Sequence, residues 1–288
     1  MSPNDPDDEQ KESHDAESGE ELPKVYLLPN LFTAGNLCFG LMAIVAIIRG
    51  TTEQTVHPEK WIQFYEWSLW WILAAFICDM FDGRLARLGG RESPFGREFD
   101  SLADLISFGV APALLVYKIV LSDFYPKEVA GSIAFLYLLC GALRLSRFNV
   151  VSAQSHGKIS KEFLGFPIPA AAGVIASITL LMLHVEKYNQ PVDFGKWRLL
   201  LLALLVFLSF MMFSKFKYPS FKNIDWHSKK SIPQLIVIAF ILFVIPLTYT
   251  WSLPLIFVCY LLYGFVRPIL PRFVRKGIDD EEEDSVTS

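Results

Sequence analysis

The chain alternates between long apolar runs and short segments rich in charge, Gly and Pro. Runs at about 31–48, 61–82, 96–120, 129–147, 163–183, 197–213, 233–250 and 252–266 approach the length of a bilayer-crossing helix. The pattern predicts an all-α, polytopic membrane bundle of about eight transmembrane helices. Pro167 and Pro169 fall at the start of the fifth run, where the first-turn N–H groups lack intrahelical partners anyway. A tight turn near Trp251 and Pro254 is expected between the last two runs.

Two runs carry further patterns. The first is uncharged but holds Asn30, Thr33 and Asn36 at i, i+3 and i+6, a polar stripe on one helix face. Such a stripe needs hydrogen-bond partners inside a membrane, and both helix packing and substrate contact would supply them. The second is rimmed by Trp61, Tyr65, Trp67, Trp70 and Trp71, read as an aromatic belt at the far interface.

Composition agrees with the run pattern: 52% of residues are apolar and mean hydropathy is +0.36. Net charge is −4, but acids gather at both ends. Residues 1–22 are acidic, poor in apolar side chains and unlike a signal peptide, so they are read as a disordered tail; 277–288 is read as a second, acidic tail. Residues 23–276 then form the membrane domain, entered through an interfacial segment at 23–30. No nucleic-acid partner is implied. Cys38, Cys78, Cys140 and Cys259 lie in apolar runs without CxxC spacing and are read as small buried hydrophobes. His14, His57, His156, His184 and His227 are scattered and read as surface residues.

With eight spans, alternate loops sort by charge. One side carries seventeen Lys and Arg: Arg84, Arg87, Arg91 and Arg97, Arg144, Arg147, Lys158 and Lys161, Lys215, Lys217, Lys222, Lys229 and Lys230, and Arg267, Arg272, Arg275 and Lys276. The other side carries seven: Arg49, Lys60, Lys118, Lys127, Lys187, Lys196 and Arg198. The positive-inside rule puts the richer side, and both termini, in the cytoplasm.

On that side lies the densest chemistry, DMFDGRLARLGGRESPFGREFDSLAD at 79–104. Asp79 and Asp82 are spaced i,i+3 and Asp100 and Asp104 i,i+4, so each pair shares a helix face. Gly89, Gly90 and Pro94 let the chain turn back between them, giving a helical hairpin with acids at its mouth. Unpaired carboxylates near membrane depth cost on the order of 3 kcal/mol each. An all-carboxylate site is neutralised naturally by hard divalent cations, and four acids suit two metals better than one. The plainer alternative is a charged surface hairpin neutralised by its own arginines.

The segment fits D-x2-D-G-x2-A-R-x8-G-x3-D-x3-D at Asp79, Asp82, Gly83, Ala86, Arg87, Gly96, Asp100 and Asp104. It resembles the motif of the CDP-alcohol phosphatidyltransferases, integral membrane enzymes of phospholipid synthesis. LPNLFTAGNLCFGLMAI, RLSRFN and GFPIPAAA narrow the resemblance to the phosphatidylserine synthases. The resemblance implies attack of an alcohol on the β-phosphate of CDP-diacylglycerol, with CMP leaving, aided by two divalent cations, Mg2+ or Mn2+. It makes Asp79, Asp82 and Asp100 metal ligands and Asp104 the general base, which also touches a metal. It assigns Gly83, Ala86, Arg87 and Gly96 to the CDP moiety and inclines Asn30 and Thr33 to the same role. L-serine is the implied acceptor, its carboxylate met by Arg144 or Arg147. The same resemblance implies a homodimer in a bacterial cytoplasmic (inner) membrane, working on membrane lipid. Three rivals stand beside this reading. Glycerol 3-phosphate, inositol phosphate or choline would be the acceptor within the same superfamily. An intramembrane prenyltransferase would lack the Gly and Ala-Arg framing seen here. A cation-coupled transporter would spread its acids across membrane depth.

Overall fold

A computed structural model of the 288-residue chain describes residues 27–57, 60–88, 93–121, 127–154, 162–188, 195–214, 217–219 and 248–269. The architecture is all-helical: α1 (Leu27–Val56), α2 (Trp61–Leu88), α3 (94–121), α4 (Lys127–Gln154), α5 (Ile168–Tyr188), α6 (Gly195–Phe213) and α7 (Tyr249–Ile269). Among the described residues the only extended pieces are β1 (Glu162–Leu164) and β2 (Lys217–Pro219), which pair antiparallel with Phe163 opposite Tyr218. This ribbon ties the entrance of α5 to the exit of α6. Phe166 N–H also donates to the Met211 carbonyl (3.1 Å).

Among the described residues four helical stretches are long and apolar enough to cross a membrane: Asn30–Gln54, Pro94–Ile119, Glu128–Val151 and Ile168–Val185. Leu199–Phe213 and Tyr249–Tyr263 are shorter apolar helices. The chain is an integral membrane protein, and the large apolar side chains left exposed on α1, α4 and α6 (Leu41, Val45, Phe135, Leu139, Leu199 and Phe210 among them) suit contact with lipid. Most of the expected seventh span, 233–247, lies outside the described residues, as do both tails. The turn expected near Trp251 and Pro254 is not there: both residues lie inside α7. α7 begins ahead of the proline, and the Thr248 carbonyl accepts the N–H groups of Trp251 and Ser252 (both 2.9 Å).

The bundle is built around α5. Its membrane-length window is 72% buried, against 33% for α1 and 28% for α4. Small residues make this possible: Ala170, Ala171, Ala172 and Ala176 are all buried, and Gly173 leaves room for the Phe257 ring of α7, which a Cβ would overlap. α1 and α2 form the most extensive helix pair.

The aromatic-belt reading holds for only part of α2. Trp67, Trp70 and Trp71 are exposed, but Trp61 and Tyr65 are buried in the core, where the Tyr65 hydroxyl shares a hydrogen bond with Thr51 Oγ1 (3.1 Å). Helical periodicity turns these two rings toward α1 rather than outward. The cysteine reading also needs correction: Cys38 and Cys259 are exposed and Cys78 and Cys140 half-buried, because their helices are apolar on the outer face as well.

α3 is a composite rod: α-helical over Pro94–Asp104, π-helical over Leu105–Val110, α-helical over Ala111–Val116 and π-helical again over Tyr117–Leu121. The first π segment begins immediately after Asp104. Wider turns shift the helix face and loosen the backbone ladder, and such segments frequently accompany functional sites. Two side chains brace this one: Tyr137 Oη donates to the Phe108 carbonyl (3.0 Å), and Ser107 Oγ donates to the Asn36 carbonyl (2.9 Å).

Candidate active site

Ser93 caps α3, its Oγ accepting the Gly96 N–H (3.0 Å), and Pro94 fills the first turn. α2 ends at Leu88 and α3 begins at Pro94, and most of the turn expected between them, residues 89–92, lies outside the described residues. Acids from α2 and α3 come together. One carboxylate oxygen each from Asp79, Asp82 and Asp100 lies within 4.8 Å of the others. Asp82 is buried, accepts hydrogen bonds from the Thr33 side chain and the Gly83 backbone, and keeps Oδ2 enclosed with no hydrogen-bond partner.

Asp104, one turn along from Asp100, is buried within the electrostatic field of Asp79, Asp100 and Asp82. Its Oδ1 accepts a hydrogen bond from Asn36 Nδ2 on α1 (2.9 Å). The polar stripe of α1 therefore faces the acids: Thr33 bonds Asp82, Asn36 bonds Asp104, and Asn30 lies against Gly96. Of these, only Asn36 has no role in the resemblance-based reading. Its i+6 spacing from Asn30 was the available signal.

α4 closes the site from the other side. Arg144 is 9% exposed and lies in the field of Asp104, Asp79 and Tyr260 of α7; its Nε has no hydrogen-bond partner. Arg147 is half-buried one turn further on. Asn149 bridges α4 to α3, its Nδ2 donating to Ser101 Oγ (3.0 Å) and to the Glu98 carboxylate (3.3 Å). Tyr260, which tilts against Phe166 with ring centroids 5.7 Å apart, joins the site from a helix remote in sequence.

The two motif glycines differ. Among the described residues a Cβ on Gly83 would meet nothing within 4 Å, so no packing there requires its small size. A Cβ on Gly96 would come within 3.2 Å of Asn30 Oδ1 and Ser93 Oγ, so Gly96 serves helix approach. The side chains of Ala86 and Arg87 lie outside the described residues.

The donor set suits a hard divalent cation: all oxygen, three acids on two helices, and a buried Asp82 oxygen that no protein group satisfies. Around it stand a buried acid held by an amide and a buried guanidinium with an unused donor. That arrangement can neutralise a diphosphate and accept a proton beside it.

Comparison with known proteins agrees. Residues 26–211 match the family model described as CDP-alcohol phosphatidyltransferase, and the chain belongs to that family. Among its relatives is the CDP-diacylglycerol--serine O-phosphatidyltransferase of Helicobacter pylori (strain ATCC 700392 / 26695), 37% identical over 84% of this chain and 91% of the relative. The protein of the same name from Bacillus subtilis is 34% identical over 68% of this chain and 92% of its own. The archaetidylserine synthase of Methanothermobacter thermautotrophicus is 33% identical over 67% and 69%.

Proposed function

We propose that the chain is a phosphatidylserine synthase, transferring the phosphatidyl group of CDP-diacylglycerol to L-serine with release of CMP. The observation that carries this is the pairing of the Asp79, Asp82 and Asp100 cluster with a buried Asp104 and with a buried Arg144 that lies in the field of Asp104 and Asp79. Relatives that share most of the chain's length and carry the serine transferase name support the acceptor.

In this reading Asp79, Asp82 and Asp100 hold divalent cations, Mg2+ or Mn2+, with Asp104 beside them. When bound, such cations neutralise the diphosphate and stabilise the departing CMP. Gly83 leaves space for the nucleotide to approach α2, and Ala86 and Arg87 lie along the same helix. Gly96 and Asn30 shape the opposite wall, while Thr33 holds Asp82 in place. Asp104 takes the proton of the serine hydroxyl as its oxygen bonds to the β-phosphorus and the bond to CMP breaks. Arg144 binds the serine carboxylate through its unused donor, a task the structure's burial pattern favours for it over Arg147.

The richer positive side, holding the acids and both termini, faces the cytoplasm in an inner-membrane enzyme of about eight spans. Residues 23–276 form the membrane domain between two acidic tails, and the enzyme works as a homodimer. Purified protein given CDP-diacylglycerol, L-serine and Mn2+ should yield phosphatidylserine and CMP in equal amounts and stop on chelation. CMP release unaffected by chelation would refute the metal assignment, and lipid lacking serine would refute the acceptor.

A further inference from the structure

We propose that Asn36 is a specificity-determining residue that recognises the ammonium group of the acceptor while orienting Asp104. The inference rests on the serine-transfer reading and extends it to a third group of the substrate. Asn36 is fully buried on α1, and each of its polar groups but one is accounted for. Its Nδ2 donates to Asp104 Oδ1 (2.9 Å) and its carbonyl accepts from Ser107 Oγ (2.9 Å), but its Oδ1 is enclosed without a partner. A buried acceptor left unmatched is costly, and such groups are rare in folded proteins.

The amide plane places that oxygen beside the nitrogen already bonded to Asp104. A ligand donor satisfying it must therefore sit next to the atom that Asp104 contacts. In a 1,2-amino alcohol the ammonium is on the carbon adjacent to the one bearing the hydroxyl. With the hydroxyl on Asp104, the ammonium comes to the Asn36 oxygen, and the carboxylate on the same carbon is left for Arg144, whose Nε is likewise buried and unpartnered. Arg144 is a donor only and cannot serve an ammonium; Asn36 Oδ1 is an acceptor only and cannot serve a carboxylate. Three groups of the site thus match three groups of serine without overlap. α1 and α3 pack closely next to Asn36: a Cβ on Gly40, one turn further along α1, would overlap Ser107.

The test compares L-serine with 3-hydroxypropionate, the same molecule without its amino group, as acceptors for CMP release by the full-length protein and by Asn36→Leu and Asn36→Ala. A purely structural role lowers kcat/KM for both acceptors alike. Recognition of the ammonium instead lowers the serine value more, so that the preference for serine over 3-hydroxypropionate falls by about 10- to 100-fold in both variants, the range for a hydrogen bond to a charged group. KM for CDP-diacylglycerol serves as the check on folding and should stay within about threefold of the parent. If Asn36→Leu misfolds, the smaller Asn36→Ala decides, and Ser107→Ala, which leaves the amide intact, should keep the full preference. An unchanged preference in a folded Asn36 variant overturns the inference alone. A parent protein that releases CMP with neither compound overturns the serine reading and this inference together.

Discussion

At the scale of single residues, Gly83 and Gly96 allow the proposed ligand contact to be tested against packing. A valine at Gly83 meets no protein atom near its Cβ, so Gly83→Val should leave the melting temperature in detergent unchanged while raising KM for CDP-diacylglycerol about tenfold or more. Gly96→Ala must displace Asn30 Oδ1 or Ser93 Oγ, and should lower the melting temperature by an amount equivalent to about 1 kcal/mol. Equal melting losses in both would show that Gly83 is a packing residue. Arg144→Lys keeps the charge but loses the planar fork, and should raise KM for serine about tenfold with KM for CDP-diacylglycerol unchanged. The reverse pattern would move Arg144 to the nucleotide. Asp79, Asp82, Asp100 and Asp104 were legible in the sequence because their spacing within each helix is local. Asn36 was legible only as a member of the α1 polar stripe, and Tyr260 not at all, because their partners, Asp104 and Arg144, are far away in sequence.

At the scale of elements, the site depends on how tightly α1, α3 and the β1–β2 ribbon are held. Gly165 has φ of +84°, a left-handed conformation, and a Cβ there would overlap the Met212 carbonyl. Gly165→Ala should therefore destabilise by at least about 1–2 kcal/mol, read as a lower melting temperature, while Gly131→Ala, which meets nothing within 4 Å, should not. A Gly165→Ala protein as stable as the parent would mean that the ribbon does not constrain the bundle. Helix positions followed from apolar run length, so α1 to α6 fall close to the expected runs. Three features did not follow from run length. The π segments depend on tertiary bracing by Tyr137 and Ser107. The ribbon pairs strands from two loops. The start of α7 at Tyr249 lies ahead of Pro254, with the Thr248 carbonyl accepting the N–H groups of Trp251 and Ser252.

At the scale of the whole molecule, the described helices bring one end of α1, α2, α3 and α4 to the acids, with the entrance of α5 and exit of α6 joined nearby. In the proposed topology, the seventeen-to-seven charge asymmetry puts the 155–161 loop on the cytoplasmic side. With Cys38, Cys78, Cys140 and Cys259 replaced by alanine, a His156→Cys reporter should react with a membrane-impermeant maleimide only after the cells are opened. Labelling of intact cells would invert the orientation. The overall class was legible because every long run is apolar, and the serine acceptor because the motif and its flanking segments resemble one enzyme family, whereas the contact of Asn36 with Asp104 joins residues far apart in sequence that no local pattern records.

The central claim, that the acid cluster serves metal-dependent phosphatidyl transfer to serine, is tested most directly by CMP release from CDP-diacylglycerol with L-serine, glycerol 3-phosphate, inositol phosphate or choline supplied separately, in the parent protein and in Asp100→Asn. Serine alone should drive release, chelation should abolish it, and Asp100→Asn should lower it by at least about 100-fold. Release with a different acceptor alone, or full activity in Asp100→Asn, would contradict it.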